Sequence, residues 1–193
     1  MPSDPANTWP VDLWTIPLRE PRPALLSEDE AERASRFRFE EDRVRWTRAR
    51  SALRTILSRY AGDAPEALRF VYGAHGKPAL SLAADIEFNL SHAGDWALIA
   101  VAKSVPVGVD IERRRPNIDM AALLRRLGET VLPDTDLYKA WTRREARSKA
   151  AGGALFDPTP PGICVVDLEA PEGYAATIAL RGWTPEVSFR NAG

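Results

Sequence analysis

The chain has 193 residues, of which 45% are hydrophobic and 27% charged, with a net charge of −1. That composition belongs to a globular protein of one large domain or two small subdomains sharing a core. The near-neutral balance supplies no overall pull toward nucleic acid or an anionic membrane, and the single cysteine, Cys164, excludes a disulfide framework and a cysteine-based zinc site.

The opening residues, MPSDPANTWP, carry neither the basic segment nor the apolar segment of a signal peptide, so the cytoplasm is the expected location. Residues 11–18 are short, apolar and bounded by prolines, and read as a strand. Ser27 followed by Glu30 is a capping-box pattern that opens a helix. A longer helix is predicted over 40–60, with Val44, Ala49, Leu53, Ile56, Leu57 and Tyr60 as its apolar stripe and Gly62 as its stop. The many arginines between Arg33 and Arg59, and the run Arg113, Arg114 and Arg115, read as solvated surface or as sites for phosphate or an acidic partner.

Short strands are predicted over 68–72, 86–90, 96–103 and 107–111, with 73–78 as a turn after the first of them. The longest apolar run, 96–102, is too short to span a bilayer. A short helix follows over 121–127 and a longer one over 136–151, which ends at Gly152-Gly153. Strands at 162–168 and 174–180, with a third at 187–189, complete the chain. Cys164 falls in the first of these and reads as a buried thiol. Helices and strands alternate in two blocks of similar make-up, which predicts an α+β protein of two related halves, 1–104 and 105–193.

Three constellations carry chemistry. In Asp110-Ile111-Glu112 the carboxylates stand at i and i+2 of a strand and share a face. Hard oxygens at this spacing suit magnesium, although a solvated charge pair has the same pattern. In the helix containing Trp141, Glu145 and Lys149, these residues lie one turn apart along one face. The pattern fits a surface ion pair, or a carboxylate and an ammonium turned together toward a pyrophosphate. The segment Asn89-Leu90-Ser91-His92-Ala93-Gly94-Asp95-Trp96 lies between two strand signals. Nothing around Ser91 and His92 has the pattern of an oxyanion hole or a nucleophile elbow, which argues against Ser–His hydrolysis. A turn offering hydroxyl and imidazole to a phosphate, or a structural cap, fits better.

Taken in order, GAHGKPAL at 73–80, FNLSHAGDWALIAVAKSVPVGVDIE at 88–112 and WTRREARSKAAGGAL at 141–155 resemble the three signature blocks of the Sfp-type 4′-phosphopantetheinyl transferases. RFRFEEDRVRWTRARSALR at 36–54 is similar to the family's N-terminal helix, and GYAATIAL in the tail also fits. The resemblance implies a pseudo-twofold monomer of two α+β halves with coenzyme A in the cleft between them. It implies transfer of the 4′-phosphopantetheine arm to a serine of an apo-acyl or peptidyl carrier protein, with release of 3′,5′-ADP. By the family pattern Asp110, Glu112 and Glu145 match the Mg²⁺ ligands; the reading of the residues agrees, with Glu145, directly or through a metal-bound water, as acceptor of the carrier serine's proton. Lys149 matches the lysine on the coenzyme A phosphates. His92 and Arg45 match positions that bind the 3′-phosphate, with Ser91 beside them, and Lys77 and Pro78 match the nucleotide-contacting turn. Neither nucleic acid nor membrane is an expected partner.

The chain departs from the family pattern at Arg144, where lysine is usual, and at Arg147, where an apolar or aromatic residue is usual. The segment 113–140 is short and lacks the usual Phe-Phe-Ser helix; 124–129 is its remnant. The alternative reading is therefore a non-catalytic homologue that binds coenzyme A or a carrier.

Overall fold

A computed structural model describes residues 8–158 and 160–190, so most of the N-terminal stretch read for targeting lies outside the described residues. The first strand, β1 (Thr8–Pro17), serves two cores because its side chains alternate between faces. Val11 and Leu13 enter one core, Trp14 and Ile16 the other.

Helix α1 (Glu28–Ser35) begins where the capping pattern put it, and the Ser27 amide donates to Glu30 Oε2 at 3.0 Å. Helix α2 (Glu40–Ala61) stops at Gly62, whose φ of 77° favours glycine. Val44 and Tyr60 at the ends of its predicted stripe are half-buried, while the other four residues, Ala49, Leu53, Ile56 and Leu57, are at most 1% exposed. Burying each of the larger three stabilises the fold by about 1.5–3 kcal/mol. The arginines of α2 are not all surface. Arg50 and Arg54 are 6% and 1% exposed, and both bind Glu30, itself 1% exposed. Neither the solvated reading nor the phosphate reading holds for these two, because their charges are neutralised inside the protein.

Strands β2 (Phe70–Tyr72) and β3 (Pro78–Leu80) form a small hairpin, so Pro78 opens a strand and does not close the turn. Strand β4 (Ile86–Ala93) runs three residues beyond its predicted end and takes Ser91 and His92 into the strand. Only Gly94-Asp95 turns before β5 (Trp96–Lys103). Gly94 has a φ of 52°, and a Cβ there would lie 2.6 Å from the Tyr174 hydroxyl oxygen. The left-handed backbone of this turn favours glycine, and a side chain there would have to displace the Tyr174 hydroxyl.

The second half contains β6 (Val107–Arg113), α3 (Met120–Arg126), α4 (Leu137–Ala151), β7 (Ile163–Leu168) and β8 (Tyr174–Arg181). Asp136 caps α4 by accepting from the Lys139 amide, and Arg114 holds the same carboxylate with two bonds of 2.9 and 2.7 Å. Cys164 on β7 is half-buried, less enclosed than its apolar neighbours suggest.

The strand orders explain the alternation read from the sequence. In one sheet β5 lies between β4 and β1, antiparallel to both; in another β8 lies between β7 and β6 in the same way. The structure is thus α+β with two similarly wired halves. The last strand, β9 (Thr184–Arg190), crosses over and pairs in parallel with β1, so the end of the chain joins the first half's sheet. The inner faces of both sheets meet in one core, which includes Val11, Leu13, Leu98, Val107, Val109, Ile111 and Ile178. Helix α2 covers the outer face of the first sheet and α4 that of the second. No helix among the described residues is long and apolar enough to cross a membrane.

Candidate active site

Strand β6 puts Val107, Val109 and Ile111 into the shared core, so period-two alternation turns Gly108, Asp110 and Glu112 toward α4. Gly108 permits close packing there. A Cβ on it would lie 2.1 Å from the Ala146 carbonyl oxygen and 2.5 Å from the Ala150 nitrogen, both backbone atoms that cannot swing aside. The missing side chain lets α4 lie against β6, so that Glu145 and Lys149 on the helix reach the carboxylates of the strand. We expect Gly108→Ala to destabilise the fold by roughly 1–3 kcal/mol through overpacking and to disrupt the site as well. Denaturant midpoints measure the first effect, and an unchanged midpoint would remove the close-approach role of Gly108.

At this contact Lys149 Nζ lies 2.6 Å from Asp110 Oδ1, 3.2 Å from Ser91 Oγ and 3.4 Å from the Val109 carbonyl oxygen. Glu145, its expected i,i+4 partner, is farther away at 4.0 Å. The Ser91 hydroxyl donates to Asp110 Oδ1 at 2.8 Å. The other oxygen of Asp110, Oδ2, is buried without a hydrogen-bond partner, although the residue is only 3% exposed. Burial and then the neighbouring Asp110 charge push the Glu112 carboxyl up to about 7, against the opposing influence of Lys149 and a hydrogen bond from Trp141. Burial, with Asp110 adding to it and Lys149 opposing it, also raises the Glu145 carboxyl above its ordinary value.

Three carboxylates thus share one ammonium, and one buried oxygen has no partner. Such a site favours a cation. Among the described residues no three acidic, histidine or cysteine side chains already converge on one point as a closed cage. Mg²⁺ does not need one, because it is usually held by one or two carboxylates with waters and substrate phosphates completing its shell. The hard oxygens present therefore fit that ion.

A cleft of about 550 Å³ adjoins the cluster. Glu112 and Trp141 are on its wall together with Arg45, His92, Arg113 and Arg115, so both halves contribute to it. His92 stands near the end of β4 on the cleft wall, where loss of solvation beside the surrounding chain, and then the Lys149 charge, lowers its pKa. Arg45 reaches Asp95 at 3.3 Å and Glu41 at 3.3 Å, which fixes it beside the cleft while leaving its side chain 29% exposed. The Arg113–115 run divides by direction: Arg113 and Arg115 line the cleft, and Arg114 turns to Asp136.

The structure thus brings together Ser91, Asp110, Glu112, Glu145 and Lys149, with His92 and Arg45 along the adjoining cleft. Lys77 and Pro78 lie outside the residues lining it. The Lys77 ammonium donates to the Val107 carbonyl at 3.0 Å, and burial lowers its pKa. Arg144 likewise turns away from the carboxylates. It donates to the carbonyl oxygens of Leu155 and Asp157 at 3.0 and 2.7 Å and so ties the following loop to α4. Sequence reasoning missed Gly108 and Asn89. The signal for Gly108 was its place two residues before Asp110 on the same face; Asn89 had none without knowledge of which strand lies beside β4.

A family model described as 4′-phosphopantetheinyl transferase, N-terminal, matches residues 21–104. The chain is 34% identical to the 4′-phosphopantetheinyl transferase HetI of Nostoc sp., over 91% of this chain and 90% of that protein. It is 38% identical to the 4′-phosphopantetheinyl transferase AcpT of Salmonella typhimurium, over 68% of this chain and 73% of the relative. To the 4′-phosphopantetheinyl transferase Sfp of Bacillus subtilis it is 30% identical, over 70% of this chain and 64% of the other.

Proposed function

The chain belongs to the 4′-phosphopantetheinyl transferase family, and we propose that it moves the 4′-phosphopantetheine arm of coenzyme A onto a serine of an apo-acyl or peptidyl carrier protein, releasing 3′,5′-ADP. One observation carries the mechanistic part of this reading: the carboxylates of β6 and α4 meet around a single lysine beside an arginine- and histidine-lined cleft. That arrangement suits a polyanion held next to a cation site. We read the halves 1–104 and 105–193 as the two sides of the coenzyme A cleft in a monomer, with the cytoplasm as its location.

Asp110, Glu112 and Glu145 would hold Mg²⁺, which when bound supplies charge neutralisation at the pyrophosphate. His92 and Arg45 offer donors to the 3′-phosphate, with Arg113 and Arg115 adding positive charge along the same wall. We assign Glu145, 4.0 Å from Lys149 on the same face of α4, as the acceptor of the carrier serine's proton. The serine oxygen then bonds to the β-phosphorus of coenzyme A, and the bond from that phosphorus to the bridging oxygen breaks. Lys149 neutralises charge on the departing 3′,5′-ADP. The attacking hydroxyl belongs to the carrier, so the enzyme needs no nucleophile of its own.

Incubation with coenzyme A, Mg²⁺ and a panel of apo-carriers should add the mass of phosphopantetheine to at least one of them. Coenzyme A binding with no carrier modified would instead select the non-catalytic reading. Proton competition at Glu112 supplies a separate expectation. Its raised pKa of about 7 means that a proton must leave before the carboxylate can bind a cation in acid solution. Mn²⁺ used as a probe should therefore bind more weakly at pH 6 than at pH 8, by several-fold, in calorimetry. Equal affinity at the two pH values would exclude Glu112 as a ligand.

A further inference from the structure

A serine hydroxyl has one hydrogen to donate and two lone pairs to fill. Ser91, 7% exposed, uses all three within the protein. It donates to Asp110 Oδ1 at 2.8 Å and accepts from the Ile111 amide at 3.4 Å and from Lys149 Nζ at 3.2 Å. No capacity remains for a phosphate. Two residues earlier on the same side of β4, Asn89 is 5% exposed and its Oδ1 accepts from the Val109 amide at 2.9 Å.

These contacts solve a problem at the junction of the halves. Strand β6 is at the edge of its sheet, β4 is at the edge of the other, and the two share no backbone ladder. Alternate amides of β6 that point away from β8 would be buried without acceptors, an expensive arrangement. The side chains of Asn89 and Ser91 serve as those acceptors. The same hydroxyl also claims Asp110 Oδ1 jointly with Lys149 and leaves Oδ2 as the unpartnered oxygen.

We infer that Asn89 and Ser91 form a side-chain clasp joining β4 to β6, and that Ser91 is a positioning residue selecting which oxygen of Asp110 is free to bind the metal, not a contact to coenzyme A. The second part rests on the reading of Asp110 as a metal ligand.

Amide exchange followed by NMR on the full chain tests the clasp without any ligand. Ser91→Ala should speed exchange at Ile111 by about tenfold while leaving Val109 little changed, and Asn89→Ala should do the reverse. Uniform acceleration across the sheet, or no change at either amide, overturns the clasp. Calorimetry tests the positioning. Ser91→Ala should weaken Mn²⁺ binding by roughly 10-fold, in the range for loss of a group that orients a ligand, while the coenzyme A affinity measured without metal stays within about twofold. In turnover the loss should fall on kcat and spare the KM for coenzyme A. Ser91→Thr, which restores a hydroxyl, should recover Mn²⁺ binding. A tenfold loss of coenzyme A affinity with Mn²⁺ binding intact overturns the positioning role and makes Ser91 a substrate contact. A wild-type chain that binds no Mn²⁺ refutes this part together with the metal reading, and the exchange data still decide the clasp. If the wild type modifies no carrier, the transferase reading fails alone, since neither exchange nor binding depends on turnover.

Discussion

Glu145→Gln is expected to lower phosphopantetheine transfer by about two to four orders of magnitude, the range for loss of a positioned base, while leaving the fold intact. The substitution keeps the shape of the side chain and removes the charge on which both of its proposed roles, cation ligand and proton acceptor, depend. Stability should hold because Glu145 is only partly buried and its charge is repelled by Asp110. Its distance of 4.0 Å from Lys149 means that little pairing is lost, since Asp110 is that lysine's closer partner at 2.6 Å. Carrier modification followed by mass spectrometry reads the rate, and a denaturant midpoint reads the fold. Transfer at the wild-type rate would remove Glu145 from both roles.

Glu30→Ala acts on stability, and its expected cost is about 3–5 kcal/mol, the range for breaking a buried ion pair by removing one partner. Glu30 accepts from Arg54 Nε at 2.6 Å and from Arg50 Nε at 2.8 Å. Both guanidiniums also stack on Phe70, at 4.7 and 5.1 Å from its ring centre. Without the carboxylate two cations would remain in the interior. Burial works against the Glu30 charge, but Arg50, the Ser27 amide and Arg54 outweigh it and hold its pKa below the ordinary 4.5. A depressed carboxylate pKa stabilises the fold fully above the unfolded value, and this contribution fades as pH falls through the lower folded value. Stability of the wild type should therefore decline below about pH 4.5, and Glu30→Gln should flatten that acid limb. Urea midpoints across this range measure both effects, and an acid limb identical in the two proteins would exclude Glu30 as its source.

The residues proposed to carry the chemistry were legible because the pattern of each is local. A strand places Asp110 and Glu112 on one face whatever surrounds it, and a helix does the same for Glu145 and Lys149. The order of the three blocks then made the family recognisable before any geometry was known. The reading of the SHAGDW segment as a turn held for Gly94-Asp95 and failed for Ser91, His92 and Ala93, for a physical reason. Glycine and aspartate announce a turn, but β4 continues through His92 because its backbone pairs with β5 and its side chains meet β6, and neither strand is visible from within the segment.

What the sequence by itself determined is the set of features that depend on neighbours within a turn or two: the capping box at Ser27, the stop of α2 at Gly62, the alternation along β6, and the spacing of the acidic groups. The tertiary structure alone decided which distant groups meet. It turned Arg50 and Arg54 inward to Glu30, gave Lys149 to Asp110 in preference to its own helical neighbour, laid β9 beside β1, and used Gly108 to let α4 approach β6. The physical reason is common to these cases. A buried charge, an unpaired edge amide or a close backbone approach is resolved by whichever partner the packed chain brings near, and residues such as Ser91 and Asp110 become partners only when two edge strands are brought side by side.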